Sequence, residues 1–203
     1  MTLPALQSSI NKMDYVIGVK KAYETLNQII YRLKAENGDI SQSFSGLTAF
    51  TTSGHEGMAN IFIHYMNVAK TCGTSITPCF SASYKYLGGS TYGSIPVSEY
   101  GCFLTNDNMS YAFHLISTDC TYHDAGVSSS SPLYNECARI LVDINGPNKG
   151  PSTIGRDLFR FFLTKNGLYP GGACNETWFV DDDCSTYGQG CASKVLLEGA
   201  MNY

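Results

Sequence analysis

Residues 1–36 constrain the fold most, because they are typical of one long amphipathic helix. Apolar side chains recur three and four positions apart on one side, which is the helical period, and polar side chains occupy the other. The apolar stripe consists of Val16, Val19, Tyr23, Leu26, Ile30 and Leu33. At about 1.5 Å per residue the helix is roughly 50 Å long, longer than the domain that the remaining chain can build. We therefore expect its second half, from about Tyr23 to Leu33, to pack on that domain and the part before about Val16 to project or pack loosely.

The rest of the chain predicts one further helix and then a run of antiparallel strands. The second helix is predicted over residues 54–70, with Thr52 or Ser53 as its cap. Alternating apolar residues and turn compositions predict strands at 100–104, 109–116, 138–144, 157–164 and 168–170. The connecting segments 40–50, 84–97, 119–136 and 171–190 read as irregular, and 191–197 suits a short helix or a strand.

This order predicts an α+β fold in which a long N-terminal helix and a second helix pack on an antiparallel β-sheet, with long disulfide-stapled loops. We divide the chain into an N-terminal assembly helix, residues 1–36, and a globular head, residues 37–203, that continues from the helix.

The cysteines indicate an oxidising environment, because there are eight of them and no C-x-x-C pair suggests a metal or redox motif. Short loops predict a bond from Cys72 to Cys79 and another from Cys120 to Cys137. The other four allow three pairings, and a bond within the last three of them is preferred. These four are Cys102, Cys174, Cys184 and Cys191.

Charge and motif spacing exclude several functional classes. The net charge is −4 and no basic cluster is present, so we expect no nucleic-acid partner. The four histidines have no spacing that would place two metal donors on one helix face. A cysteine nucleophile needs a free thiolate beside a base, which paired cysteines cannot supply. We therefore expect a protein that is not an enzyme.

Two segments resemble the type IV pilin and type II secretion pseudopilin group. Residues 142–161, VDINGPNKGPSTIGRDLFRF, are similar to a "VDxNGxxGPNxxGxDxFxF" stretch, and residues 188–203 are similar to a "GxGCxAxxxxxGxxxY" tail. The long lead helix and the export-type cysteines agree with the same group. The family's leader peptide, processing site and N-terminal glutamate are not in the printed sequence. We expect the chain to be the soluble part of a longer protein, although a natural frayed N-terminus stays an alternative.

The resemblance implies a pilin-like fold and a structural role. Such subunits are anchored in the bacterial inner membrane by the first half of the helix, with a periplasmic or extracellular head. The assembly machinery of the inner membrane then stacks them, helix against helix, into a filament at the cell surface. The expected partners are therefore other pilin or pseudopilin subunits. The alternative is a secreted binding or adhesion domain that recognises a surface ligand through its long loops, and upstream sequence would separate the two.

Residues 143–157 also suggest a possible calcium site, although the fold requires no cofactor. Asp143 and Asn145 place two oxygen ligands on a tight turn, and Asn148 and Asp157 could close around the same point. Pro147 and Ile154 stand where a true calcium loop has further ligands. The competing interpretation is an ordered turn in which these side chains bind their own backbone amides and need no ion.

Overall fold

The structure, a computed structural model, describes residues 3–96, 98–173 and 184–203, with side chains from residue 12 onward. It is an α+β fold, as predicted. The elements are α1 (Leu3–Asn37), a 3-10 helix (Ile40–Phe44), α2 (Thr52–Ile63), β1 (Val68–Gly73), the single turn α3 (Ile76–Cys79), β2 (Tyr84–Lys85), β3 (Thr91–Gly93), β4 (Gly101–Thr105), β5 (Ser110–Leu115), β6 (Glu136–Asp143), β7 (Leu158–Thr164), β8 (Leu168–Pro170) and α4 (Cys191–Glu198).

The main sheet has six strands in the order β1-β4-β5-β6-β7-β8, and each neighbouring pair is antiparallel. From β4 onward each strand pairs with the next one along the chain, so short turns suffice to connect several of them. The two short strands β2 and β3 form a separate antiparallel pair. Side chains alternate between the two faces of the main sheet, and both faces are covered.

Helix α1 packs on one face of the sheet through the predicted stripe. Val19 and Leu26 have no exposed surface, and Ile30 and Leu33 are almost completely buried. The ring of Tyr23 stacks on Phe161 of β7 with centroids 6.0 Å apart. Burying one such leucine contributes about 1.5 to 3 kcal/mol, so the stripe is a major part of the core.

Helix α2 covers β4 and β5. Phe62 meets Phe113 of β5 with ring centroids 4.5 Å apart, and Met58 is fully buried. At the start of the helix, the backbone of His55 lies directly on Gly101 of β4. A Cβ at position 101 would be 2.2 Å from the His55 carbonyl oxygen, so only glycine allows this approach.

The second helix is shorter than the sequence predicts, and this part of the prediction is wrong. It begins at Thr52, is capped by Thr51 through a 3.1 Å bond from the Gly54 amide, and ends at Ile63 rather than near residue 70. Val68 begins the edge strand β1, which pairs with β4. The helical spacing of residues 65–69 is overridden because an edge position on the sheet offers hydrogen bonds to a distant part of the chain.

Several segments expected to be irregular contain short regular elements. Residues 40–44 form the 3-10 helix, with Asp39 as its cap through a 2.9 Å bond from the Ser41 amide. Residues 84–93 contain β2 and β3. Residues 191–198 form a helix, which settles the choice left open by their sequence.

The other face of the sheet is covered by the segments that precede β4 and follow β5. Phe80, Tyr84 and Ile95 pack on Leu141 and Leu158 of the sheet. Val127 and Leu133, from the connection between β5 and β6, pack on Phe162. The sheet is therefore enclosed between helices on one side and disulfide-bonded connections on the other.

No helix in the described part of the chain is both long and apolar enough to cross a membrane.

Candidate functional site

The connection between β6 and β7 begins with a buried carboxylate, Asp143, whose acceptors are all in use. One oxygen, Oδ2, accepts a 2.6 Å hydrogen bond from the hydroxyl of Tyr84. The other, Oδ1, accepts the backbone amides of Asn145 at 3.2 Å and Gly146 at 2.9 Å. The side chain therefore closes the turn at residues 143–146 and joins it to β2.

The connection ends with a second buried carboxylate, Asp157, which binds the backbone just before it. Its Oδ2 accepts the amide of Ser152 at 2.6 Å, and its Oδ1 accepts the amide of Thr153 at 2.5 Å. Neither Asp143 nor Asp157 has exposed surface. Burial raises the pKa of the Asp143 carboxyl to about 7, with the Tyr84 hydrogen bond acting in the opposite direction and the Asp157 charge in the same one. Burial also raises the pKa of the Asp157 carboxyl.

This geometry has the hydrogen bonds that the ordered turn requires. The carboxylates that an ion would need already accept five hydrogen bonds from amides and a hydroxyl. Asn145 donates through Nδ2 to the carbonyl of Gly150 at 3.2 Å, and Asn148 is exposed. Within the described ranges no group of three or more His, Cys, Asp or Glu side chains is placed to hold a metal ion. Calcium binding stays a prediction, tested below.

The same connection packs against the first part of α1. A Cβ on Gly18 would be 3.1 Å from the side chain of Ile144, so the helix and the connection are in close contact there. The hydroxyl of Tyr15 donates to the carbonyl of Gly150 at 3.3 Å. The β6–β7 connection therefore forms a wall against the first part of the helix.

Two hollows lie between α1 and this wall, separated by the contact of Tyr15 with Gly150. We name the first the polar hollow. It has a volume of about 530 Å³, and its lining includes Asp14, Asp107, Asn108, Asn145 and Lys149. Asn108 donates from Nδ2 to the carbonyl of Asn145 at its edge. The Oδ1 atom of Asn145 is buried there and has no hydrogen-bond partner within the described chain.

We name the second the basic hollow. It has a volume of about 450 Å³ and is bounded by α1, by the end of the β6–β7 connection and by the residues after α4. Its lining includes Lys12, Tyr15, Pro151, Arg156, Met201 and Tyr203. Burial raises the pKa of the Tyr203 hydroxyl, and the nearby Arg156 charge acts against that rise. Sequence reasoning missed Lys12 and Arg156, because they are 144 positions apart and neither belongs to a motif of charges.

The outward side of α1 carries isolated apolar residues beside these hollows. Met13 is 67% exposed and Ile17 is 57% exposed, although both lie on the part of the helix that reaches the head. Exposed polar positions such as Glu24 and Gln28 follow on the same side. The predicted packing stripe and this exposed side therefore give one helix two different faces.

Two of the four histidines lie together at the start of α2 and on β5. The ring centroids of His55 and His114 are 4.6 Å apart, and the Nδ1 atom of His55 accepts the amide of Leu115 at 3.0 Å. Burial lowers the pKa of His114 to about 4, with further lowering from the charges of His55 and Arg139. Burial therefore favours the neutral form of both imidazole rings, because it lowers the pKa of His55 as well.

The described disulfides confirm the pairs predicted from spacing. Cys72 is bonded to Cys79, Cys120 to Cys137 and, within the last three cysteines, Cys184 to Cys191. The prediction that Cys102 is paired is wrong, because it is a buried free thiol on β4. Its burial raises its pKa to about 12, with the Glu56 charge adding to the rise, so the reactive thiolate is absent at neutral pH. Cys174 lies outside the described residues.

Four tyrosines in and near the loops pack against other parts of the head. Tyr84 is 1% exposed, and Tyr86 makes edge-to-face contacts with Tyr92 and Tyr187 at centroid distances of 5.2 and 5.1 Å. All three rings of this second group are half-buried.

Comparison with known proteins identifies no relative: no protein-family model, curated protein or solved structure matches this chain.

Proposed function

We propose that this protein is a structural, non-enzymatic subunit of a type IV pilus-like or type II secretion pseudopilus filament that assembles through α1. The observation that carries the proposal is that one side of this 35-residue helix is buried and the other is exposed. One face, from Val16 to Leu33, is buried in the head, while Met13 and Ile17 present apolar surface on the outside. An exposed apolar side on a helix held rigidly by its other side suits contacts between subunits.

The two segments that carry the resemblance also support the proposal, because they meet in space. A Cβ on Gly155 would be 2.8 Å from both the carbonyl oxygen of Gly188 and the sulfur of Cys191. The hydroxyl of Tyr203 donates to the Gly155 carbonyl at 2.5 Å. Residues 142–161 and 188–203 therefore build one structural unit beside α1, which is consistent with their being parts of one family signature.

A non-enzymatic role agrees with the chemistry of the buried nucleophile. The thiol of Cys102 lies against the carbonyl of Ser75 at 3.6 Å, and burial holds it in the protonated form. A cysteine enzyme needs the reverse, a thiolate stabilised by a neighbouring positive charge.

In the proposed arrangement the protein is anchored in the bacterial inner membrane and its head is periplasmic or extracellular. Its partners are other pilin or pseudopilin subunits, which contact it along α1, and the inner-membrane assembly machinery. No cofactor and no nucleic acid take part.

The test compares the outward apolar residues with a polar neighbour on the same side of the helix. In the bacterium that encodes the full-length protein, filaments sheared from the cells are expected to contain the wild-type chain. The double variant Met13→Asp/Ile17→Asp is expected to remove it from the filament fraction without lowering the melting temperature of the purified head, because both side chains are exposed. The control Gln28→Asp also changes an exposed position and is expected to assemble normally.

The absence of the wild-type chain from every filament fraction would refute the proposed function. Normal assembly of the double variant would show instead that another surface makes the subunit contacts.

A second candidate, a secreted binding domain, is favoured by one observation. The half-buried rings of Tyr86, Tyr92 and Tyr187 form an aromatic group in the loop region, a type of surface that suits contact with a partner or glycan. This candidate predicts a protein that is released as a monomer and binds cells when added from outside.

A further inference from the structure

The basic hollow differs from the rest of the molecule in its charge. Its lining contains two cationic side chains, Lys12 and Arg156, and no acidic one. Neither side chain forms an ion pair with any other described residue. The whole chain carries a net charge of −4, and two nearby acids, Asp157 and Glu198, act on Tyr15 and Tyr203 without being part of the lining. The charged groups that line the hollow itself are both positive. Like charges that face one hollow attract an anion together.

The rest of the lining is uncharged and largely apolar. It contains the aromatic side chains of Tyr15 and Tyr203, together with Gly150, Pro151 and the buried Met201. Aromatic rings of a ligand pack well on such surfaces, either offset or edge to face. The volume of about 450 Å³ is in the range of small-molecule sites.

The walls are also held in place before any ligand arrives. The hydroxyl of Tyr203 donates to the Gly155 carbonyl at 2.5 Å, and that of Tyr15 donates to the Gly150 carbonyl at 3.3 Å. The ammonium group of Lys12 donates to the carbonyl of Met201 at 3.1 Å, which keeps it at the hollow while leaving its other protons free. Binding therefore costs less ordering of side chains than it would at a mobile surface.

From this combination we propose that the basic hollow binds a carboxylate carried on a flat apolar body, such as an aromatic acid. The guanidinium of Arg156 binds the carboxylate through two parallel hydrogen bonds, and Lys12 adds a second charge. The ring of the ligand lies between Tyr15 and Tyr203. The same chemistry is offered by a free aromatic acid and by the carboxyl terminus of a peptide that ends in an aromatic residue. The inference does not depend on filament assembly.

Isothermal titration calorimetry on the purified chain tests the proposal with matched probes. Phenylacetate represents the free acid, acetyl-glycyl-phenylalanine the peptide end, and phenylacetamide the same ring without the charge. We expect at least one of the two acids to bind with a Kd near about 1 mM, a value appropriate to a ligand of this size. Phenylacetamide is expected to bind at least about tenfold more weakly, because it lacks the charge-assisted hydrogen bonds.

Variants assign the binding to the hollow. Arg156→Gln and Lys12→Gln are each expected to weaken binding of the acid by about tenfold. The control Lys149→Gln removes a cation from the polar hollow instead, and is expected to change the affinity less than about twofold. All three side chains are exposed, so the melting temperatures are expected to stay unchanged, and two independent variants guard against loss of folding in one.

The outcomes separate cleanly. Binding of either acid supports the proposal. Binding of phenylacetate alone identifies a free acid as the ligand, and binding of the peptide alone identifies a peptide end. Failure of both acids to bind at about 10 mM overturns it. Equal binding of phenylacetamide, or unchanged binding by both hollow variants, also overturns it.

Discussion

Replacing Tyr84 by phenylalanine removes the one side-chain donor that the described residues supply to the buried carboxylate of Asp143. The hydroxyl donates to Asp143 Oδ2 at 2.6 Å and accepts the amide of Ser81 at 3.2 Å. Tyr84 is 1% exposed and Asp143 is fully buried, so water cannot replace either bond without rearrangement. A hydrogen bond to a charged acceptor contributes about 1.5 to 3 kcal/mol, and the loss of the acceptor for the Ser81 amide adds about 1 kcal/mol. We therefore expect a loss of about 3 kcal/mol in the free energy of unfolding at about pH 8.

The loss must depend on pH, because the pKa of Asp143 is raised to about 7 in the folded protein. A carboxyl whose folded pKa is higher than its unfolded pKa binds more protons in the folded state, so the stability of the wild type falls as the pH rises from about 4 to about 7. The Tyr84 hydrogen bond lowers this pKa, and its removal raises the pKa further. Each unit of additional shift corresponds to about 1.4 kcal/mol. The variant is therefore destabilised more at about pH 8, where the carboxylate is charged, than at about pH 5, where the acid is mostly protonated.

Urea unfolding followed by circular dichroism at these two pH values measures both effects. The matched control is Tyr111→Phe, since Tyr111 is 2% exposed but its hydroxyl contacts only the sulfur of Met109, at 3.6 Å. We expect the control to lose less than about 1 kcal/mol, equally at both pH values. A loss below about 0.5 kcal/mol in Tyr84→Phe, or an equal loss at the two pH values, would refute the argument that this hydroxyl stabilises a buried charge.

Three further outcomes are expected. Leu26→Asp should prevent folding, because the side chain has no exposed surface and a buried charge costs several kcal/mol. The exposed control Gln28→Asp should melt within about 2 °C of the wild type, and equal melting temperatures of the two variants would contradict the assignment of the buried stripe. Calcium at about 1 mM should release no heat and leave the melting temperature of the chelator-treated protein unchanged, since the oxygens of Asp143 and Asp157 already accept hydrogen bonds. A rise in melting temperature that Asp143→Ala abolishes would establish the ion site instead. Iodoacetamide should leave Cys102 unmodified in the folded protein at about pH 8, because burial raises the pKa of its thiol to about 12, and should label it after unfolding without reduction. Rapid labelling of the native protein would show that the thiol is accessible and ionised.

Local patterns in the sequence predict the elements whose stability is mostly local or between neighbours in the chain. The stripe from Val16 to Leu33 repeats with the helical period, and all its members lie on the side that faces the head. The hairpin of β4 and β5 follows from a turn composition between two apolar runs, and its register joins Cys102 to Ala112. The disulfides of Cys72 with Cys79 and of Cys120 with Cys137 could be predicted because each closes a short loop.

Parts of the candidate site could also be predicted in this way. Asp143 and Asp157 belong to a turn-rich segment in which short polar side chains bind nearby amides, and the structure has those bonds. The choice between a turn and an ion site could not be made from spacing, because it depends on which donors reach the carboxylates. Tyr84 is 59 positions from Asp143, and nothing in the local sequence of either residue indicates their contact.

Tertiary structure alone decided the features that depend on distant partners. The end of α2 at Ile63 and the strand that begins at Val68 exist because β4 offers hydrogen bonds to an edge, which outweighs the helical spacing of that segment. Cys102 is a buried free thiol, although the disulfide-bonded Cys79 lies in the same cluster of side chains. Lys12 and Arg156 line one hollow only because α1 and the β6–β7 connection pack together. The sequence by itself determined the long amphipathic helix, the α+β order and two of the disulfides, since these need only periodicity, turn composition and short loops. The hollows, the buried Tyr84–Asp143 pair and the free thiol arise from contacts between residues far apart in the chain, which no local pattern specifies.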